Sequence, residues 1–262
     1  MLTECAEAAG SRLPEGEVYI GRAGGGVAVF TEPGAPFNKL AGLGFEPLNT
    51  DSLAEIEREF ARRKALLQVE LASLADPAVG TELTRRGYEL TGFENVLGLE
   101  LQQDALRMSG DRETPAITRA TPEESRLWMD VVTTGFLSPD AFDGPVSHES
   151  FDRATLERVY ADTIASKGFV RYLARRDGVI AGGASLRMGG GVAQLSGAAT
   201  LPDHRRRGVQ TALLRTRLAD AFDGGCDIAV VTTQPGSKST ENVQRFGFAL
   251  LYVRAILVKA PA

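Results

Sequence analysis

Ala198–Ala221 reads AATLPDHRRRGVQTALLRTRLADA and divides into three parts. A strand-like run over Val192–Leu201 stops at Pro202, and a short basic turn follows, His204-Arg205-Arg206-Arg207-Gly208. A helical pattern then sets in, with apolar residues at Val209, Leu213, Leu214, Leu218 and Ala221 spaced as one buried face. Strand, glycine-containing turn and helix together aim unpaired backbone N–H groups and the positive helix end at one point, which suits a phosphate. The arginines add mobile positive charge to a chain whose formal net charge is −5. An Arg-rich connection is also ordinary solvated surface, so the expectation of a phosphorylated cofactor here rests on what surrounds the turn.

The 262 residues suit two modest domains or one large one. With 43% apolar and 24% charged residues the chain has material for a packed core. The acidic balance argues against a nucleic-acid partner. Cys5 and Cys226 are too few for a disulfide framework and have no metal-ligand company, so no metal is expected. No apolar run reaches the roughly 18 residues of a membrane span. Glu4, Glu7, Glu15 and Glu17 break up the N-terminal stretch, unlike a signal peptide. The expectation is a cytoplasmic chain without membrane contact, its oligomeric state left open between monomer and homodimer.

Residues 1–103 read as a first unit. A short helix over Leu2–Arg12 precedes strands at Val18–Gly21 and Val27–Thr31, turned by the glycines at 24–26. The passage Phe37–Phe45 is assigned to no element. A helix capped by Ser52 with Glu55 three residues on, a strand at Ala65–Leu71, a helix opened by Asp76-Pro77 and a strand at Glu94–Leu101 complete the unit. Polar residues 104–115 read as a linker. The second unit, 116–262, opens with a strand at Ala116–Arg119 and a helix capped by Thr121 with Pro122 first. A loop holding Asp140, Asp143 and His148 leads to a second helix from Glu149 to Ser166. Strands at Phe169–Arg175 and Val179–Arg187 precede the central stretch. A strand at Cys226–Thr233, a short helix at Ser239–Phe246 and a strand at Phe248–Lys259 end the chain. The glycines between Gly182 and Gly191 read as strand and hairpin glycines, not as a dinucleotide loop.

This element order, with Arg205 and Gly208 at the turn, Gln210 at the last small position of the motif and Gly247-Phe248 after the short helix, resembles the GNAT superfamily of acyl-CoA-dependent N-acetyltransferases. The first unit, with Gly87-Tyr88 where Gly247-Phe248 stands, resembles a degenerate copy without the Arg-x-x-Gly turn. The resemblance implies an α+β fold, a mixed α/β architecture of two tandem GNAT-like units. Each would be a mixed, mostly antiparallel sheet flanked by helices.

The resemblance further implies that acetyl-CoA is the cofactor, its pyrophosphate held by the amides of Arg206, Arg207, Gly208, Val209, Gln210 and Thr211. Ala199 and Leu201 would lie along the pantetheine arm, and an amide near Leu201 would polarise the thioester carbonyl. Ser239 and Asn242 would line the groove. The acceptor would be a primary amine of a small molecule, amino acid or peptide. A family carboxylate on the central strand is missing, since Gln194 and Ser196 stand there; Asp140, Asp143, His148 and Glu149 are the candidates for the base, His148 and Glu149 foremost. The family's Tyr acid is replaced by Val243, which leaves Tyr252, Ser237, Ser239 or solvent to protonate the thiolate. A non-catalytic acyl-CoA-binding regulatory or interaction module is the alternative.

Overall fold

The computed structural model describes residues 1–102, 115–138 and 151–261. Seven helices and eleven strands of these residues build a mixed α/β fold on one continuous sheet. The first unit contributes α1 (Leu2–Gly10), β1 (Tyr19–Ala23), β2 (Gly26–Phe30), β3 (Lys39–Ala41), α2 (Thr50–Arg62), β4 (Leu67–Ala72), α3 (Pro77–Arg85) and β5 (Glu89–Glu100). The second contributes β6 (Ala116–Arg119), α4 (Ser125–Leu137), α5 (Arg153–Ile164), β7 (Phe169–Arg176), β8 (Val179–Gly189) and β9 (Val192–Thr200). A single 3₁₀ turn (Pro202–His204) then leads to α6 (Val209–Asp223), β10 (Ile228–Thr233), α7 (Lys238–Arg245) and β11 (Ala249–Lys259).

Three local expectations are corrected. Phe37–Phe45 holds a strand, β3, which pairs parallel with β4 and leads into α2. The cap of α2 is Asn49, whose side chain accepts from the amides of Asp51 and Ser52; an amide oxygen one turn earlier outcompetes the Ser52 hydroxyl. Helix α4 begins at Ser125 rather than Pro122. Glu124 reaches back to accept from the Thr121 amide at 3.0 Å, so only half of the expected capping box forms.

The strand order is β1-β2-β3-β4-β11-β5-β10-β9-β8-β7-β6. The last strand of the chain does not pair with β10. It lies between β4 and β5, antiparallel to both, while β5 lies beside β10. Each unit thus hands its final strand to the other's parallel pair, β3–β4 on one side and β9–β10 on the other. Helix α1 also crosses over. Glu4 bonds Arg187 of β8 at 2.6 Å, and Arg12 bonds Asp162 of α5 at 2.9 and 2.7 Å.

Two main cores flank these exchanged strands. Leu53, Ile56, Phe60, Val79 and Leu83 pack on β4 in the first unit; Leu213, Leu214, Leu218 and Ala221 pack on β8–β10 in the second. A smaller cluster centres on Trp128 of α4, which is fully buried. Its indole N–H donates to the Ala184 carbonyl at 2.9 Å, and its rings meet Tyr160 and Phe169 edge-on. Trp128→Ala is expected to cost about 3–5 kcal/mol through the cavity and the orphaned carbonyl. Urea denaturation followed by circular dichroism would check it.

The first unit's turn between β3 and α2 is closed by its own chain. Leu43 is fully buried, and the Gly44 and Glu46 amides donate to the Gly24 carbonyl at 2.8 and 3.3 Å. Gly26 makes this possible, because a Cβ there would sit 2.7 Å from the Leu43 nitrogen. With Asn49 accepting from Asp51 and Ser52, four amides of this turn and helix start are satisfied from within.

Candidate active site

The corresponding turn in the second unit is built the opposite way. Arg206 (φ 60°) and Gly208 (φ 77°) both adopt the left-handed region, and Gly208 is the residue at the cap of α6. Its lack of a side chain leaves no capping oxygen there. The ladder of α6 begins with Ala212 N donating to Gly208 O at 2.9 Å. The Val209, Gln210 and Thr211 amides therefore face outward with no intrahelical acceptor. Successive amides in a left-handed turn at a helix N-terminus form an anion-sized concavity. Arg206 and Arg207 are exposed beside it, and the Arg205 guanidinium donates to the Ser138 carbonyl, tying the turn to the end of α4.

Below the turn the sheet opens. Strands β9 and β10 pair in parallel from Val192–Ile228 to Leu195–Val231 and no further. Beyond that point, among the described residues, β9 keeps only β8 and β10 keeps only β5. Between the pairs Ser185–Ser196 and Gly183–Ala199, two β9 residues, Gly197 and Ala198, oppose Ala184 alone. This bulge leaves one amide without a counterpart and bends β9 away. The split is continuous with a cavity of about 920 Å³ running from the turn to Thr232, walled by β9, α6 and α7.

Arg217 of α6 forms part of the wall. It is 3% exposed, and it donates to the carbonyls of Leu213 (3.1 Å), Ser185 (3.0 Å) and Ser196 (3.4 Å). No carboxylate pairs with it among the described residues, and burial pulls its pKa down to about 10. It therefore pins the strand just before the bulge and stays cationic at neutral pH. Thr200 Oγ1 and His204 Nδ1 line the same cavity, buried and without a hydrogen-bond partner among the described residues. Unmet polar atoms along this wall suit an extended ligand with amide groups and a polyanionic end.

Residues 137–248 match the model of the acetyltransferase (GNAT) family. Residues 137–248 are a GNAT-family segment. A curated relative of this GNAT unit, an uncharacterized N-acetyltransferase of Streptomyces griseus, is 30% identical over 110 residues, 42% of this chain. The chain matches only about a quarter (26%) of that protein's length. Among solved structures, a GCN5-related N-acetyltransferase from Kribbella flavida superposes with a TM-score of 0.67 at 20% identity, over 98% of this chain and 96% of that one. A tandem GNAT protein from the clavulanic acid biosynthesis pathway superposes with a TM-score of 0.66 at 13% identity, over 98% and 88%. The whole chain therefore has the fold of a tandem GNAT protein.

Most residues expected to hold the cofactor come together in this GNAT unit. Ala199, Arg205, Arg206, Gly208, Val209, Gln210, Thr211, Ser239 and Asn242 line the cavity; Arg207 and Leu201 do not. Leu201 packs beside Trp128, and its amide donates to the Ala181 carbonyl at 3.0 Å, so it is not available to a thioester. The bulge at Gly197–Ala198 is the part of β9 with an amide to spare. His148 and Glu149, with Asp140 and Asp143, lie outside the described residues. Tyr252 lies outside the cavity wall, paired with Val96 of β5, which in turn pairs with Thr232 of β10. Val243 is buried in the core at the cavity wall. Arg217 was missed as a site residue, although its spacing of four from Leu213 and from Ala221 places it on the inner face of α6.

Among the described residues no helix is long and apolar enough to cross a membrane, and no group of three or more His, Cys, Asp or Glu could hold a metal.

Proposed function

We propose that this protein is an N-acetyltransferase that uses acetyl-CoA to acetylate a primary amine of a small molecule, amino acid or peptide. The observation that carries the reading is the split between β9 and β10 beneath the unpaired amides of α6. The amides of Arg206–Thr211 receive the pyrophosphate, with Arg206 and Arg207 as mobile countercharges. Strand β9 around Ala199 runs beside the pantetheine arm, Thr200 and His204 meet its amides, and Ser239 and Asn242 close the groove. When bound, acetyl-CoA supplies a thioester, whose carbonyl the bulge amide polarises. No tyrosine stands at Val243 and Tyr252 lies outside the cavity, so the departing thiolate, with a reference pKa of about 8.5, is protonated by solvent or by a hydroxyl on the wall such as that of Ser239. The first unit, separated at 104–115, is a degenerate copy without cofactor that shapes the acceptor side.

Val243 favours a second reading, an acyl-CoA-binding module without turnover. Calorimetric titration with acetyl-CoA, followed by a free-thiol assay over a panel of primary amines, tests both. Binding with CoA release establishes the transferase, binding without release under any amine establishes the module, and no binding rules out both.

A further inference from the structure

The second unit has no carboxylate on its central strand, but the strand exchange brings one from the first. Alternation along β4 turns Leu67 and Val69 into the core with α2 and α3, and Glu70 to the opposite side. On that opposite side an ionic row crosses five adjacent strands. Lys39 Nζ of β3 donates to Glu70 Oε1 of β4 at 2.7 Å, and Arg254 Nη1 of β11 donates to Glu70 Oε2. Arg254 Nη2 donates to Glu94 Oε2 of β5 at 2.5 Å and to Thr232 Oγ1 of β10 at 3.4 Å. Thr232 lines the cavity at the end where β9 and β10 part. Glu94 and Arg254 stand next to the cavity wall rather than in it; one guanidinium nitrogen links Thr232 on that wall to Glu94, whose Oε1 has no hydrogen-bond donor among the described residues.

We propose that Glu94, brought by the first unit's exchanged strand, receives the acceptor's ammonium beside Thr232, just beyond the edge of the cavity, with Arg254 as its positioning residue. The acceptor is then a primary alkylammonium. This rests on the acetyl-transfer reading above. Burial raises the Glu94 carboxyl above the usual carboxylate range, with Arg254 pulling the other way and Glu70 adding to the rise, which strengthens it as a base. The ammonium loses one proton to Glu94 and exposes its lone pair. Nitrogen then bonds the acyl carbon as the carbon–sulfur bond breaks, and the second proton it sheds reaches the departing thiolate through solvent.

The test is calorimetry on the full chain saturated with CoA, using ethylammonium, lysine methyl ester and spermidine as probes and ethanol as the neutral control. At least one ammonium should bind the wild type, and Glu94→Gln should weaken it by about 30-fold, the size of a lost charge-assisted hydrogen bond. Glu94→Asp, which keeps the charge, should recover part of that loss. Affinity for CoA itself should stay within twofold in both variants. No ammonium binding to the CoA-loaded wild type, or equal binding to Glu94→Gln, would overturn the assignment. Failure of CoA to bind at all would instead overturn the transferase reading, so the two are told apart. Should Glu94→Gln not fold, Glu94→Asp binding no better than ethanol would itself overturn the role.

Discussion

Gly208→Asp is expected to lower acetyl-CoA affinity by about 100-fold or more while leaving the protein folded. A Cβ at this position meets no protein atom within 4 Å, so the substitution causes no clash in the free protein. Its cost to folding is the left-handed backbone at φ 77°, about 1 kcal/mol, which Asp tolerates better than most residues. The effect on the ligand is far larger. The new side chain would enter the concavity lined by the Val209, Gln210 and Thr211 amides, and its carboxylate would cap them internally. A phosphate would then meet both a filled cradle and a like charge. Isothermal calorimetry reads the affinity directly. Thermal unfolding gives a second measure, since ligand at a hundredfold excess over Kd stabilises the native state by about 2.7 kcal/mol. The wild type should show that stabilisation and Gly208→Asp should not. Equal binding by both proteins would exclude this turn as the phosphate site.

Residues 115–262 expressed alone are expected not to form a stable domain, although they contain the whole family match. In the intact chain β11 pairs only with β4 and β5, and β10 depends on β5 along Ile228–Thr233. Removing the first unit leaves β10 with an open edge and gives β11 no partner except by a rearrangement onto β10. Such open edges pair with other chains or aggregate. The fragment should be found insoluble or expanded by size exclusion and circular dichroism. Co-expression of residues 1–102 as a separate chain should restore a soluble complex. A fragment that is monomeric and cooperatively folded on its own would show that β11 moves beside β10 at little cost, and that the exchange is dispensable.

The two expectations differ in how they could be reached. The glycine turn at the start of α6 was legible because its signals are local: a proline ending a strand, a basic glycine-containing turn, and apolar residues at helical spacing over Val209–Ala221. Most of the residues assigned to the cofactor from that stretch line one cavity. The errors inside it are also physical. Leu201 lost its amide to Ala181 because β8 runs alongside to that point, and Arg217 was passed over because its charge masked the helical spacing that sets it on the buried face of α6. Strand β3 escaped because three residues carry no period, and its partner β4 is far along the chain.

Alternation, capping residues and turn chemistry act between residues a few positions apart, so the sequence by itself determined the element types apart from β3, the phosphate-suited turn and the likeness of the two units. Which strand edges meet is decided by long-range hydrogen bonding and by which faces must be covered, and no local pattern encodes it. Only the tertiary structure therefore placed β11 between β4 and β5. It alone carried Glu94 from the first unit to within one guanidinium of Thr232.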